Sequence, residues 1–261
     1  QIEELIQPTI QELHDILGLD YQKSLLFLKG MYLSEDNLWQ LEDDFAKALM
    51  IEPEMINDPY VRNRIWQMLR KRIKEAKVGV IRVHGNYSII SGDPYALCQS
   101  MFGLEVTGLL KAGELYNKYW IDRGTPYVSC FRAPMSAANN IVKLKVACTD
   151  KMAHWYRYMN TCTILNAWDT TTHATNGADK DGDMYFLTDN KVLVENTLNL
   201  PCIMCVQRKA QKKIIEESDL ILANKKSFGD EIGKVTNRIT SMFDVQSQFT
   251  LGSKEYEALS Y

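Results

Sequence analysis

Apolar residues recur at helical spacing at the start of the chain, where Ile10, Leu13, Ile16 and Leu17 fall on one face. Ser34 is placed to cap a further helix carried by Leu38, Leu41, Phe45 and Leu49, with acidic residues early and Lys47 late, as the helix dipole favours. Asn57-Asp58-Pro59 marks another start, because proline is tolerated in a first turn. Ile65, Met68, Leu69 and Ile73 extend that helix to about Lys77. The period then shortens. Residues 78–83 read as a strand and residues 87–90 as another, closed by the turn Ser91-Gly92-Asp93-Pro94. Residues 127–131, 162–165, 184–187 and 201–206 are short β-branched or aromatic runs separated by turns, the pattern of a compact barrel or sandwich. Residues 151–159 read as a helix inside this region. Beyond Arg208 the chain turns polar and helical again, over 218–224 and 230–243. The expected class is therefore α+β. A helical segment spans 1–76, a β-barrel spans 77–206, and a mostly helical segment spans 207–261. Trp39, Trp66, Trp120, Trp155 and Trp168 are expected as core anchors.

With 46% hydrophobic and 24% charged residues, composition excludes a disordered tail, a collagen-like chain and a disulfide-dense miniprotein. No apolar run reaches the roughly 18–20 residues of a membrane helix, and acidic residues interrupt any leader-like segment at the start. The chain begins at Gln1 and stops abruptly at Tyr261, so a piece of a longer protein is expected. The net charge of -3 conceals an asymmetry: residues 1–60 carry 13 acidic side chains against Lys23, Lys29 and Lys47, leaving the remainder at +7. Arg62, Arg64, Arg70, Lys71, Arg72, Lys74, Lys77 and Arg82 face only Glu75. That field suits a polyanion, or else is simply a solvated helix face.

The cysteines at 98, 130, 148, 162, 202 and 205 read as reduced thiols of an intracellular protein. Cys202 and Cys205 form one CxxC pair, but no second pair completes a zinc site, and the apolar residues between them favour a buried strand. His14, His84, His154 and His173 share no ligand spacing.

The most informative stretch is Asn176-Gly177-Ala178-Asp179-Lys180-Asp181-Gly182-Asp183. Three carboxylates at every second position can turn to one side of an extended or looping backbone, where they repel unless a cation sits among them. Magnesium, a hard ion with an oxygen shell, is the natural candidate. A calcium loop would need Gly where Met184 stands and Glu where Asn190 stands, so it fails twice. A solvated acidic turn is the remaining alternative. Upstream, Arg132-Ala133-Pro134 follows a strand, and the stiff Ala-Pro step would hold the arginine at a fixed angle toward a ribose or phosphate. An ordinary surface turn is the plainer reading of that motif.

Arg132-Ala133-Pro134 followed by Asp179-x-Asp181-Gly182-Asp183 resembles the catalytic half of two-barrel RNA polymerases. These are the cellular β′ subunit, the RNA-silencing RNA-dependent polymerases and the single-chain phage polymerases. Gly108 to Tyr116, with its Gly113-Glu114-Leu115-Tyr116 ending, and Asp230-Glu231-Ile232-Gly233 with Thr236-Asn237 are similar to flanking segments of the silencing enzymes. Gly177 stands where the β′ loop has Asn, and Lys180 stands where an apolar residue is usual.

The resemblance implies a double-psi β-barrel, with Asp179, Asp181 and Asp183 as catalytic metal ligands for Mg2+. It implies Arg132 as a contact to the nucleotide sugar or the RNA end. Arg70, Arg72, Lys143 and Lys145 are candidate backbone contacts to nucleic acid, with solubility as the simpler alternative. The implied activity is template-directed RNA synthesis from ribonucleoside triphosphates, releasing pyrophosphate, of the single-chain phage DNA-directed type. The silencing-type RNA-dependent enzyme is the alternative, and a non-catalytic nucleic-acid-binding barrel a second one. The implied partners are a DNA or RNA template, nascent RNA, and a second barrel bearing lysines in further sequence or another subunit, with no membrane. The implied location is the cytoplasm of a bacterial host, or a virion.

Overall fold

The computed structural model describes residues 1–18, 44–202, 212 and 214–259, which divide into two compact units at Val83/His84. In the first unit, helices span Ile2–Leu17, Asp44–Ile51 and Pro59–Lys77, with a 3-10 turn at Pro53–Asn57. The helix expected from Asn57-Asp58-Pro59 has the predicted bounds, because Asp58 accepts from the N–H groups of Tyr60 and Val61. Ile16 and Leu69 are buried together, with Leu13, Ile65, Met68 and Ile73 around them. Ser34, Leu38, Leu41 and Trp39 lie outside the described residues.

Residues 78–83 are not a strand. The N–H groups of Val78 and Val80 donate to the Glu75 carbonyl, and Gly79 has φ +87. The segment thus folds back to close the preceding helix. Arg82 then donates its N–H to Thr9 Oγ1 and its guanidinium to Glu12 at 2.8 Å, so its backbone has no ladder to join.

The second unit is built on a closed barrel of six strands: β1 Asn86–Ser91, β2 Glu114–Tyr116, β3 Tyr127–Phe131, β4 Val142–Val146, β5 Cys162–Leu165 and β6 Met184–Thr188. Around the ring the order is β1-β5-β2-β4-β3-β6, with β6 returning to β1. β1 with β5 and β2 with β4 are parallel, and the remaining neighbours are antiparallel. With helices on either side in sequence, the class is α+β and the closed mixed barrel fits the expected double-psi type. Inward residues fill the barrel: Ile90, Leu115, Val128, Cys130, Leu144, Leu165, Tyr185 and Leu187 form one core with Trp120. Burial pushes the Cys130 thiol pKa far up, so it stays protonated. A second cluster outside the wall joins Leu110, Tyr116, Met152, Tyr156 and Ile164.

Short helices connect the strands, at Pro94–Met101 after β1 and Asp150–Trp155 after β4. The second is shorter than the expected 151–159. Beyond the barrel, helices span Lys191–Asn196, Glu217–Ser227, Glu231–Gln246 and Lys254–Ala258. Of residues 201–206, Pro201 and Cys202 are not strand and the rest lie outside the described residues, Cys205 included. The described cysteines are free. No helix among the described residues is long and apolar enough to cross a membrane. Trp120 is fully buried as expected, but Trp66, Trp155 and Trp168 are more than half or about half exposed.

Asp169 anchors the turn after β5. Burial alone would raise its pKa, but N–H groups of Gly113, Thr171 and Asn166 at 2.7–2.9 Å outweigh that and hold it below the usual carboxylate value. A carboxylate lowered on folding stabilises the fold above its unfolded pKa, and that contribution fades as pH falls through the folded value. Urea midpoints of the native protein and Asp169→Asn should therefore differ at pH 7 and converge in strong acid. A gap that stayed constant with pH would refute this role.

Candidate metal loop and its arginine

The barrel order dictates where the acidic loop lies. β6 runs antiparallel to both β1 and β3, so its entry sits beside their exits. Phe131 pairs with Phe186 and Ile89 with Met184, and the Ile90 N–H donates to the Asp183 carbonyl at 2.8 Å. The next residue after β3 is Arg132, and Gly92 follows β1. Residues far apart in sequence are thereby brought to one rim.

Arg132 and Asp183 meet there. Nε and Nη2 of Arg132 reach the same Asp183 oxygen, Oδ2, at 2.9 and 2.7 Å, and the Asp179 N–H donates to it at 2.8 Å. The same guanidinium donates to the carbonyls of Thr175 and Asn176 at 3.2 and 3.1 Å. Arg132 thus fastens both ends of the loop, and both charges are mostly screened from water. The backbone bends at Asn176 (φ +59), Gly177 (φ +60) and Gly182 (φ +132). The last of these values suits only a residue without Cβ. Below the loop, Thr175 and Tyr185 share a hydrogen bond at 2.6 Å, which seats the loop on the core. Sequence reading gave Arg132 a ribose or phosphate partner. Its carboxylate partner was missed, because it follows from the antiparallel pairing of the strands before Arg132 and after Asp183, for which the sequence carries no local signal.

Asp179 and Asp181 are exposed, and their carboxylates bond to no described group. Among the described residues, no three His, Cys, Asp or Glu side chains are grouped so as to hold a metal. The chemistry of the donors nevertheless fits a hard cation: two unpaired carboxylates and a third with only one oxygen engaged by N–H groups, all within five residues. Lys180, between the first two, lies back over the rim so that a Cβ added to Gly92 would come within 3.3 Å of its side chain.

Of the other predicted contacts, the two on the barrel do not join this rim. Lys143 and Lys145 lie on β4, separated from β6 by β3. Lys145 pairs across the strands with Glu114 at 3.2 Å, and Lys143 stands 5.8 Å from the centre of the Tyr127 ring. Arg70 and Arg72 are exposed on the helix of the first unit, where Arg72 pairs with Glu75 at 3.1 Å.

If the Arg132 fork secures the loop, Arg132→Met should destabilise the second unit by about 1.5–3 kcal/mol, the usual range for hydrogen bonds to a charged group. Arg132→Lys should recover only part of this, since an ammonium cannot reproduce the fork. Thermal unfolding of both variants tests it, and a change below about 0.5 kcal/mol for the methionine variant would rule it out.

A closed barrel with a tri-aspartate loop leading into one strand and an arginine leaving its neighbour is what the resemblance to two-barrel RNA polymerases implies. The similarity extends well beyond these motifs. The chain is 24% identical over 249 residues, or 93% of its length, to the DNA-directed RNA polymerase YonO of Bacillus phage SPbeta. It spans 28% of that relative's length. Among solved structures, the RNA-dependent RNA polymerase QDE-1 from Thielavia terrestris aligns with all of this chain and 28% of its own, at 11% identity and a TM-score of 0.48. No family model matches the chain.

Proposed function

We propose that this chain is the metal-loop half of an RNA polymerase active site, in a DNA-directed enzyme of the single-chain phage type. The observation that carries the reading is the meeting of Arg132 with Asp183 at one rim of a closed barrel, in a chain similar to a phage DNA-directed RNA polymerase over 93% of its length. Asp179, Asp181 and Asp183 would hold Mg2+. A metal held there would supply Lewis acidity for phosphoryl transfer. Asp179 and Asp181, exposed and unpaired, present negative charge to an arriving cation. Arg132 holds Asp183 and both loop ends in place with Nε, Nη1 and Nη2, and a remaining N–H on Nη2 would be available to a ribose hydroxyl. The second barrel and its lysines would come from further sequence or another subunit.

Run-off synthesis by the intact gene product tests this, using single-stranded DNA, duplex DNA and RNA templates with magnesium and four ribonucleotides. RNA made on DNA supports the proposal, and RNA made only on an RNA template replaces the DNA-directed assignment. Folded protein that makes no RNA on any template overturns the polymerase reading.

A further inference from the structure

Gly92, at the rim that carries the acidic loop, leads to aromatic rings and cations that the chemistry above leaves unused. Gly92, against which Lys180 of the acidic loop lies, leads into Asp93 and the helix Pro94–Met101. Tyr95, in the first turn of that helix, meets Trp155 edge to face at 5.1 Å. Lys151 stands 4.4 Å from the centre of the Tyr95 ring and donates to its hydroxyl at 3.0 Å. Beyond Trp155, Arg157 lies 4.8 Å from the Tyr158 ring centre. Buried Tyr156 ties this cluster down, since its hydroxyl donates to Asp93 at 2.7 Å. The outer rings face water: Trp155 is 50% exposed and Tyr158 is 82% exposed. From 149 to 160 the sequence has one acidic residue, Asp150, against Lys151, Arg157 and His154.

We propose that Tyr95, Trp155 and Tyr158, with Lys151 and Arg157, form a stacking surface for single-stranded nucleic acid beside the acidic loop. Every base offers a π-face, so exposed rings bind a strand with little sequence preference, while neighbouring cations meet its phosphates. A duplex keeps its base faces hidden in the stack, so the ligand is unpaired. Burying two large rings in a core would have satisfied the hydrophobic effect; here Trp155 and Tyr158 are left in water, with Arg157 over the Tyr158 ring and Lys151 over half-buried Tyr95, and positive charge beside exposed rings suits an anionic ligand. The inference rests on the polymerase reading for the presence of a strand near the loop.

The test measures fluorescence anisotropy of labelled oligothymidylate and oligouridylate, each of about 20 nucleotides, with the intact gene product at fixed salt. Trp155→Ala combined with Arg157→Ala should weaken binding about ten-fold or more, and Trp155→Phe should restore most of it. Arg157→Ala alone should flatten the salt dependence. Tyr158→Ala provides a variant whose exposed ring supports no core, and should weaken binding several-fold even if the double variant misfolds. Trp66→Ala, an exposed tryptophan of the first unit, should leave affinity unchanged. Unchanged affinity in folded Trp155→Ala/Arg157→Ala and in Tyr158→Ala would overturn the proposal, as would equal affinity for duplex. The two readings fail separately. RNA synthesis with unaltered strand affinity in these variants overturns the stacking surface alone. Loss of strand affinity in a protein that makes no RNA overturns only the polymerase reading.

Discussion

Asp181→Asn in the intact gene product should lower the rate of RNA synthesis by about a thousand-fold or more, with the unfolding temperature almost unchanged. Several kcal/mol of charge stabilisation at the transition state is the usual contribution of a catalytic metal, and each 1.36 kcal/mol is a factor of ten. The structural half of the prediction follows from where Asp181 stands. It is exposed, and its carboxylate bonds to no described group, so removing its charge breaks nothing in the fold. Asp183 behaves differently. Asp183→Asn should abolish synthesis and also destabilise the loop, because its Oδ2 receives the Arg132 fork and the Asp179 N–H. Single-turnover extension with thermal unfolding separates the two effects. An Asp181→Asn protein that retained a tenth or more of the native rate would exclude this residue from metal binding.

The largest stability effect outside the core is expected at Asp93, which is only 5% exposed and fully engaged. Its Oδ1 accepts from the N–H groups of Tyr95 and Ala96, capping a helix, and from the Tyr156 hydroxyl. Its Oδ2 accepts from the Leu109 N–H at 2.7 Å. Burial, reinforced by the bond to Asp93, pushes the Tyr156 hydroxyl pKa up, so it remains a donor across the accessible pH range. Asp93→Ala removes a cap, worth ~1 kcal/mol, and leaves buried donors unmet at about 1–3 kcal/mol. The expected loss in urea unfolding is ~3 kcal/mol, and a loss under about 1 kcal/mol would show that water replaces the carboxylate freely. Gly108 belongs to the same device: with φ +63, it brings its backbone so close that an added Cβ would stand 2.6 Å from Asp93 Oδ2.

Much of this architecture could be read before any coordinates. The helix Pro59–Lys77 was announced by Asn57-Asp58-Pro59, because cap and proline are local signals. Strands β3 and β5 were bounded correctly because each is a short apolar run between turns. What failed was non-local. β2 is three residues long and exists because β4 and β5 flank it. β4 reads as a basic stretch because Lys143 and Lys145 alternate with buried Val142 and Leu144. The β-branched run at 78–83 had the composition of a strand, but its backbone groups were already committed to a helix end and to Thr9. At the candidate site, the carboxylate triplet and the arginine were legible as residue types. Their pairing was not, since it depends on which strands become neighbours.

Among the described strands, the last in chain order closes the ring: β6 pairs with β1, Asn86 opposite Leu187, and with β3. Contacts so distant in sequence are slow to form, because the chain loses loop entropy before it gains ladder bonds. During translation, the segments up to β5 must therefore wait, with the faces destined for β6 open to chance pairing. The acidic loop enters β6 directly, and Arg132 gains its carboxylate only when that strand arrives. The Arg132–Asp183 pairing and completion of the barrel are in this sense one event, so a nascent chain halted before residue 188 holds neither.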